Sequence, residues 1–232
     1  VLRVANSAFY SRGAEAETVR ESVVRLGLKE VANIAASASI AALFDKEMKA
    51  GHAMLAPHWK ALWERSITAA YASSWLALVV RRGRAERSFL AGLLHDIGKV
   101  SVLRSVSALI ARKKIPETLR APEVWWLIEA LHVDFGGVLV VTWDLPQYVA
   151  AVCLDHHAEE IDPDPDTDDM QVVRVTSGLN EIRTNPWYAP SAVQEVSYSA
   201  GALGLSSEKL AEVITHIPRF AEQATAMFPG SN

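Results

Sequence analysis

The sequence predicts an all-α fold. Three observations lead there. Apolar residues recur at three- and four-residue steps through most of the chain. No stretch shows the strict alternation of a half-buried strand with confidence. The punctuation is helical, with Thr18 and Ser206 at helix starts, Pro57 in a first turn and Gly27 at an end. Half of the 232 residues are hydrophobic, enough for a sizeable core in one domain or two closely joined ones.

Taken in order, VLRVANSAFY at the start places Leu2, Ala5 and Phe9 on one helical stripe, and Gly13 breaks it. Asn6, Ser7 and Tyr10 read as local capping and turn contacts in preference to a binding surface. Thr18 and Glu21 form a capping-box start for a short helix that ends at Gly27. Residues 29–44 form an Ala-rich helix with Val31, Ile34, Ala38 and Ala42 on one side, and 45–56 is a linker containing Gly51. From Pro57 to Arg82 runs a long amphipathic helix with Trp59, Leu62, Trp63, Ile67, Ala70, Trp75 and Leu78 inward. The basic run Arg81–Arg87 reads as a solvated loop.

Further helices are expected at 101–115, 123–133 and 146–157, with Gly136–Gly137 interrupting the last two. The acidic, Pro-containing run 161–169 reads as a solvated loop, since it lacks the glycine and register of a calcium-binding loop. Helices at 170–183, 191–203 and 206–227 close the chain.

The net charge is −4 and no Lys/Arg run suggests a nucleic-acid footprint. One cysteine, Cys153, excludes an internal disulfide and reads as a small core residue in a reducing compartment. The longest apolar stretches, such as Ala69–Val80, look too short or too interrupted to cross a membrane. No signal peptide is visible, so a cytoplasmic location is expected.

The chemistry concentrates in 88–102, SFLAGLLHDIGKVSV. Phe89, Leu90, Leu93, Leu94 and Ile97 suggest one buried helix face, interrupted by His95 and Asp96. An imidazole nitrogen beside a carboxylate suits a divalent metal. Gly98 reads as a helix stop, and Lys99 as a cation beside any anionic ligand.

LLHDIGK resembles the HD superfamily of metal-dependent phosphohydrolases. The order LRVANSAFY, TVRESVVRLGLKEVANIA, LLHDIGK is similar to the HDOD family, the "HD-related output domain" of bacterial signalling proteins. The resemblance implies an N-terminal helical subdomain over 1–54 packed on an HD-like bundle over 55–232. Family members usually carry helices before the LRVANSA string. The chain opens at Val1 inside a helical pattern, so the natural start is expected upstream.

Carried over position by position, the doublet is His95 and Asp96, and the histidines of the related cyclic-dinucleotide enzymes match His132, His156 and His157. Two positions depart: Arg65 stands where the early metal-binding His belongs, and Ser177 where the late Asp belongs. A guanidinium offers no lone pair, and a hydroxyl is a poor substitute for a bridging carboxylate. The glycine-tyrosine-proline signature is absent after His157. The resemblance therefore implies a non-catalytic signalling module with a degenerate site, holding no metal and no cofactor. Its partner would be a signalling protein or a fused regulatory domain, without nucleic acid or membrane, and a homodimer is compatible. Arg65 is expected to pair with Asp96 in place of a metal. The alternatives are an altered metal-dependent phosphohydrolase using His95, Asp96, His132, His156 and His157, and a nucleotide-binding module with Arg65 and Lys99 on phosphate.

Overall fold

The computed structural model describes residues 1–6, 15–50, 52–116, 118–184 and 189–227, with side chains at all of these except 2, 3, 48–50, 189 and 223–227. Among the described residues there is no strand. Helix α1 (Leu2–Ala5) is followed by α2 (Val19–Leu26) and α3 (Leu28–Ala50). Thr18 caps α2 as expected: its Oγ1 accepts from Glu21 N at 3.1 Å. The returning Glu21 carboxylate accepts from Glu17 N, one residue earlier than a capping box requires. Asn6 clamps the first turn to Ala16 through paired 2.8 Å bonds, which is the local role anticipated for it. Ser7, Phe9, Tyr10 and Gly13 lie outside the described residues.

The linker anticipated at 45–56 is shorter than expected. Helix α3 runs to Ala50, and only a single 3₁₀ turn, Ala53–Leu55, precedes α4 (Ala56–Val80). Pro57 sits in the first turn of α4, and Arg81 closes it in the left-handed conformation at φ 55°. This helix is the hub, packed against α3, α5, α9 and α11. Trp59, Leu62, Trp63, Ile67 and Ala70 are buried as predicted, but Trp75 is half-buried and Leu78 is 67% exposed. The predicted stripe drifts because the far end of α4 passes from the main core to a second cluster around Leu76, Val172, Val175, Val213 and Ile217.

The stretch 88–102 is two helices, α5 (Ala85–Leu94) and α6 (Ile97–Ala111), joined at His95 and Asp96. Gly98 therefore does not stop a helix. It lies in the first turn of α6, where a Cβ would collide with His132 O and stand 2.6 Å from Gly136 N. Gly98 and Gly136 let α6 and α7 approach backbone to backbone. That is also why Gly136–Gly137 does not interrupt α7 (Ala121–Thr142), which runs straight through. With a mean hydropathy of 1.6, α7 is long and apolar enough to cross a membrane by length and composition, which the sequence reading missed by splitting it. In the fold it packs on α6 and on α8 (Gln147–Asp155).

The chain closes with α9 (Asp168–Thr184), α10 (Ala189–Ala202) and α11 (Ser207–Met227). Cys153 is buried, and its thiol donates to Leu94 O at 3.2 Å; burial pushes the thiol up to about 12. The two charged runs are solvated only in part: 162–166, Arg81, Gly83, Arg84 and Glu86 are exposed, but Asp168 and Asp169 are buried. Arg82 makes a two-pronged pair with Asp168, at 2.7 and 3.1 Å. Asp169 accepts from Ser88 Oγ (2.6 Å) and Arg84 N (2.9 Å), with Arg87 Nε 3.0 Å away. Gly83, at φ 75°, makes the turn into this clamp, and a Cβ there would stand 2.9 Å from Asp169 Oδ1.

Candidate functional site

The site forms where the α5–α6 junction meets α7, α8, α9 and α10. Helix α5 stops at Leu94; Asp96 then takes φ −101° and ψ 17°, and α6 restarts. The bend turns His95 and Asp96 into one cavity instead of leaving them on diverging faces of a continuous helix. His95 Nδ1 donates to Gly92 O at 2.9 Å, and its Nε2 lies 3.2 Å from Asp96 Oδ2.

A chain of alternating charges leads away from Asp96. Lys99 Nζ lies 3.1 Å from Asp96 Oδ2 and 2.9 Å from Glu129 Oε2. Glu129 Oε1 is 3.9 Å from Arg65 Nη1, and that nitrogen is 2.9 Å from Glu181 Oε2. Lys99, Glu129 and Arg65 have side chains no more than 10% exposed, so each charge depends on its neighbours. Burial pulls the Lys99 pKa down, but Asp96, Glu129 and Glu181 outweigh it and the net shift is upward. Burial likewise pushes Asp96 up, yet the adjacent His95 and Lys99 outweigh it and hold its carboxyl well below the usual range.

The histidines form the other wall. His132 Nδ1 meets Glu129 O and His156 Nδ1 meets Val152 O, each at 2.9 Å. A carbonyl only accepts, so these ring nitrogens carry the proton, and each Nε2 presents a lone pair in the neutral ring. Those Nε2 atoms lie 3.7 and 3.5 Å from Asp96 Oδ1. All three atoms are buried without a hydrogen-bond partner. Burial, with Lys99 nearby, lowers His132 to about 4; burial, with His157 nearby, lowers His156 to about 3. His157 is exposed and pairs with Glu195 of α10 at 3.1 Å. Ligand atoms of His132, His156 and His157 lie within 4.8 Å of one another.

The fold thus brings together all eight residues singled out from the sequence, with one misassigned partner. Arg65 does not pair with Asp96. Lys99, one turn along α6, reaches Asp96 first, and Arg65 stands one carboxylate further out on Glu129 and Glu181. Lys99 is consequently held by two carboxylates and is not a free cation for an anionic ligand. Ser177 Oγ donates to Val173 O of its own helix at 2.7 Å. Sequence reasoning missed Glu181, four residues after Ser177 on the same face of α9; it places Glu129, three before His132, in the family's typical string but gives it no role in the site. Helical spacing from a known site residue was the signal that could have found both. Glu195 carried no such signal.

The HDOD domain family matches residues 1–159. The chain belongs to the HDOD family. The solved structure of an HDOD domain protein of unknown function from Geobacter sulfurreducens aligns over 97% of this chain and 80% of its own, with a TM-score of 0.66 and 21% identity. A protein from Shewanella amazonensis SB2B named "putative metal-dependent phosphohydrolase" aligns over 100% and 79%, with a TM-score of 0.68 and 21% identity. These likenesses bear on the fold. A curated, uncharacterized protein of Treponema pallidum (strain Nichols) is 25% identical over 174 residues, 68% of this chain; the chain spans 30% of that relative's length.

The metal that HD folds are built to hold can be tested against this HDOD chain's own donors. The doublet side does not fit. Arg65 and Ser177 supply no ligand there, and Lys99 already neutralises Asp96 Oδ2. The histidine side fits better. Two buried lone pairs face a carboxylate oxygen with no donor between them, and exposed His157 stands at the rim.

Proposed function

We propose that this HDOD domain is a non-catalytic module of bacterial signal transduction that acts by binding a signalling protein or a regulatory domain. The carrying observation is the chain Asp96–Lys99–Glu129–Arg65–Glu181, which installs two fixed cations among the residues where an HD hydrolase holds its metal. The adjoining cavity holds about 50 Å³, room for a few waters, whereas small-molecule pockets run to roughly 300 Å³ or more. A substrate as large as a cyclic dinucleotide would require the charge chain to be dismantled.

The orphaned Asp96 Oδ1, His132 Nε2 and His156 Nε2 favour a second reading, in which His132, His156, His157 and Asp96 hold a divalent metal. Such an ion would acidify a bound water and polarise a phosphoryl group.

Protein purified without added metal and then titrated with Mn²⁺ or Zn²⁺ separates the two. The first reading expects no turnover of bis(p-nitrophenyl) phosphate or cyclic dinucleotides under either metal, and full complementation of a gene deletion by Asp96→Asn. Metal-dependent turnover abolished by Asp96→Asn would establish the second and end the first.

A further inference from the structure

We propose that a second cavity, between the starts of α4 and α7 and the end of α9, binds a small organic anion bearing a phosphate or carboxylate. Arg65 and Arg183 would hold the anionic group, and the ligand would compete with Glu181 for the Arg65 guanidinium. The cavity measures about 440 Å³, within the range of small-molecule sites.

Arg65 lies in the wall between the two cavities. Its Nη1 is committed to Glu181 on the histidine side, while the residue also lines the larger cavity. A guanidinium has five N–H donors in a planar fork, so one carboxylate does not exhaust it. Arg183 stands exposed on the rim, and its Nη2 donates to the Oδ1 of buried Asn180 at 2.9 Å, which aims it before any ligand arrives. Trp125 stiffens the wall: its ring lies 4.8 Å from the Arg65 guanidinium carbon and 5.1 Å from the His58 ring. His58 is buried, and burial lowers its pKa, so it brings no charge near neutral pH. Against the two guanidiniums the described lining sets one carboxylate, Glu64. Helix α7 adds the positive end of its dipole at Ala121.

Occupancy would be felt at a distance. Drawing Arg65 off Glu181 and Glu129 leaves Lys99 as the cation facing Glu129 and Asp96, so a ligand in one cavity alters the charge balance in the other. This does not depend on whether the histidine site is catalytic.

Calorimetric titration with phenyl phosphate and with benzoate tests it, with sodium chloride at matched ionic strength as the control and circular dichroism to confirm that variants fold. Saturable binding is expected. Arg183→Gln, a surface change, should weaken it about tenfold, the scale of one charge-assisted hydrogen bond. Glu181→Gln should tighten it by a similar factor, about tenfold, because it removes the competitor. Binding by phenyl phosphate alone would assign a phosphate site, and binding by both a general anion site. A response no greater than chloride's, wild-type affinity in Arg183→Gln, or unchanged or weaker affinity in Glu181→Gln would each overturn the proposal.

Discussion

Two buried polar regions of this protein use the same residue types to opposite ends. In the clamp between the α4–α5 turn and the start of α9, all four carboxylate oxygens of Asp168 and Asp169 have a donor or cation within 3.1 Å. In the site around Asp96, one oxygen is held by Lys99 and the other faces two imidazole lone pairs. A network whose carboxylates are all partnered stabilises a fold, even though Arg87 Nε, 3.0 Å from Asp169, makes no aligned hydrogen bond. An incomplete one destabilises it and leaves the capacity to take up a proton or cation. The clamp therefore reads as scaffold, and the Asp96 site as one that keeps unpartnered lone pairs facing a cavity.

The sharpest way to break that contrast is Asp169→Asn. An amide there removes the charge facing Arg87 and turns an N–H towards Arg84 N or Arg87, which only donate, and should cost about 4 kcal/mol in urea unfolding, the scale of a broken buried pair. Arg65→Met should cost about 3 kcal/mol, while Arg65→Met combined with Glu181→Met should cost less than the single change, since both charges go together. Equal costs for the single and double variants would mean the charge chain is not coupled.

The pH dependence comes next. His132 and His156 are lowered in the fold from 6.5 to about 4 and about 3. Below pH 6.5 the unfolded chain binds protons that the folded chain refuses, so stability falls as pH drops from 6.5 towards 4, by roughly 3 kcal/mol for each histidine. Chemical denaturation across that range should show the slope, flattened in a His132→Asn, His156→Asn variant.

Asp96→Asn should cost less than Asp169→Asn, about 2 kcal/mol, because its new amide can donate to His132 Nε2 or His156 Nε2 and Lys99 keeps Glu129, which together offset part of the lost pair with Lys99. A cost as large as that at Asp169 would erase the distinction between the regions. Ser177→Ala should change stability by less than about 0.5 kcal/mol, since the hydroxyl bonds only within its own helix. A larger loss would show that Ser177 serves the site.

How much of this was legible in the sequence differs by residue. His95, Asp96, His132, His156 and His157 were identified from motif strings alone, and the fold brings them together. The pairing of Arg65 was not legible, because Lys99, Glu129 and Glu181 compete for the same charges and only their positions in space rank them. The clamp was hidden for a similar reason. Arg81–Arg87 and 161–169 are each polar and loop-like, so each read as solvated, although the fold buries Asp168 and Asp169 by placing one run on the other.

By itself the sequence determined the helical class, the family, the caps at Thr18 and Gly27, the first-turn place of Pro57, and the identity of the site's side chains. These follow from local spacing and from residue chemistry, which need no knowledge of distant neighbours. Tertiary structure alone decided that α5 and α6 break at the doublet, that Gly98 and Gly136 join helices instead of ending them, and which carboxylate each cation meets. Burial is the physical reason: once water is excluded, a charge goes to whichever opposite charge the packing places within about 3 Å, and packing is set by residues far apart in the chain.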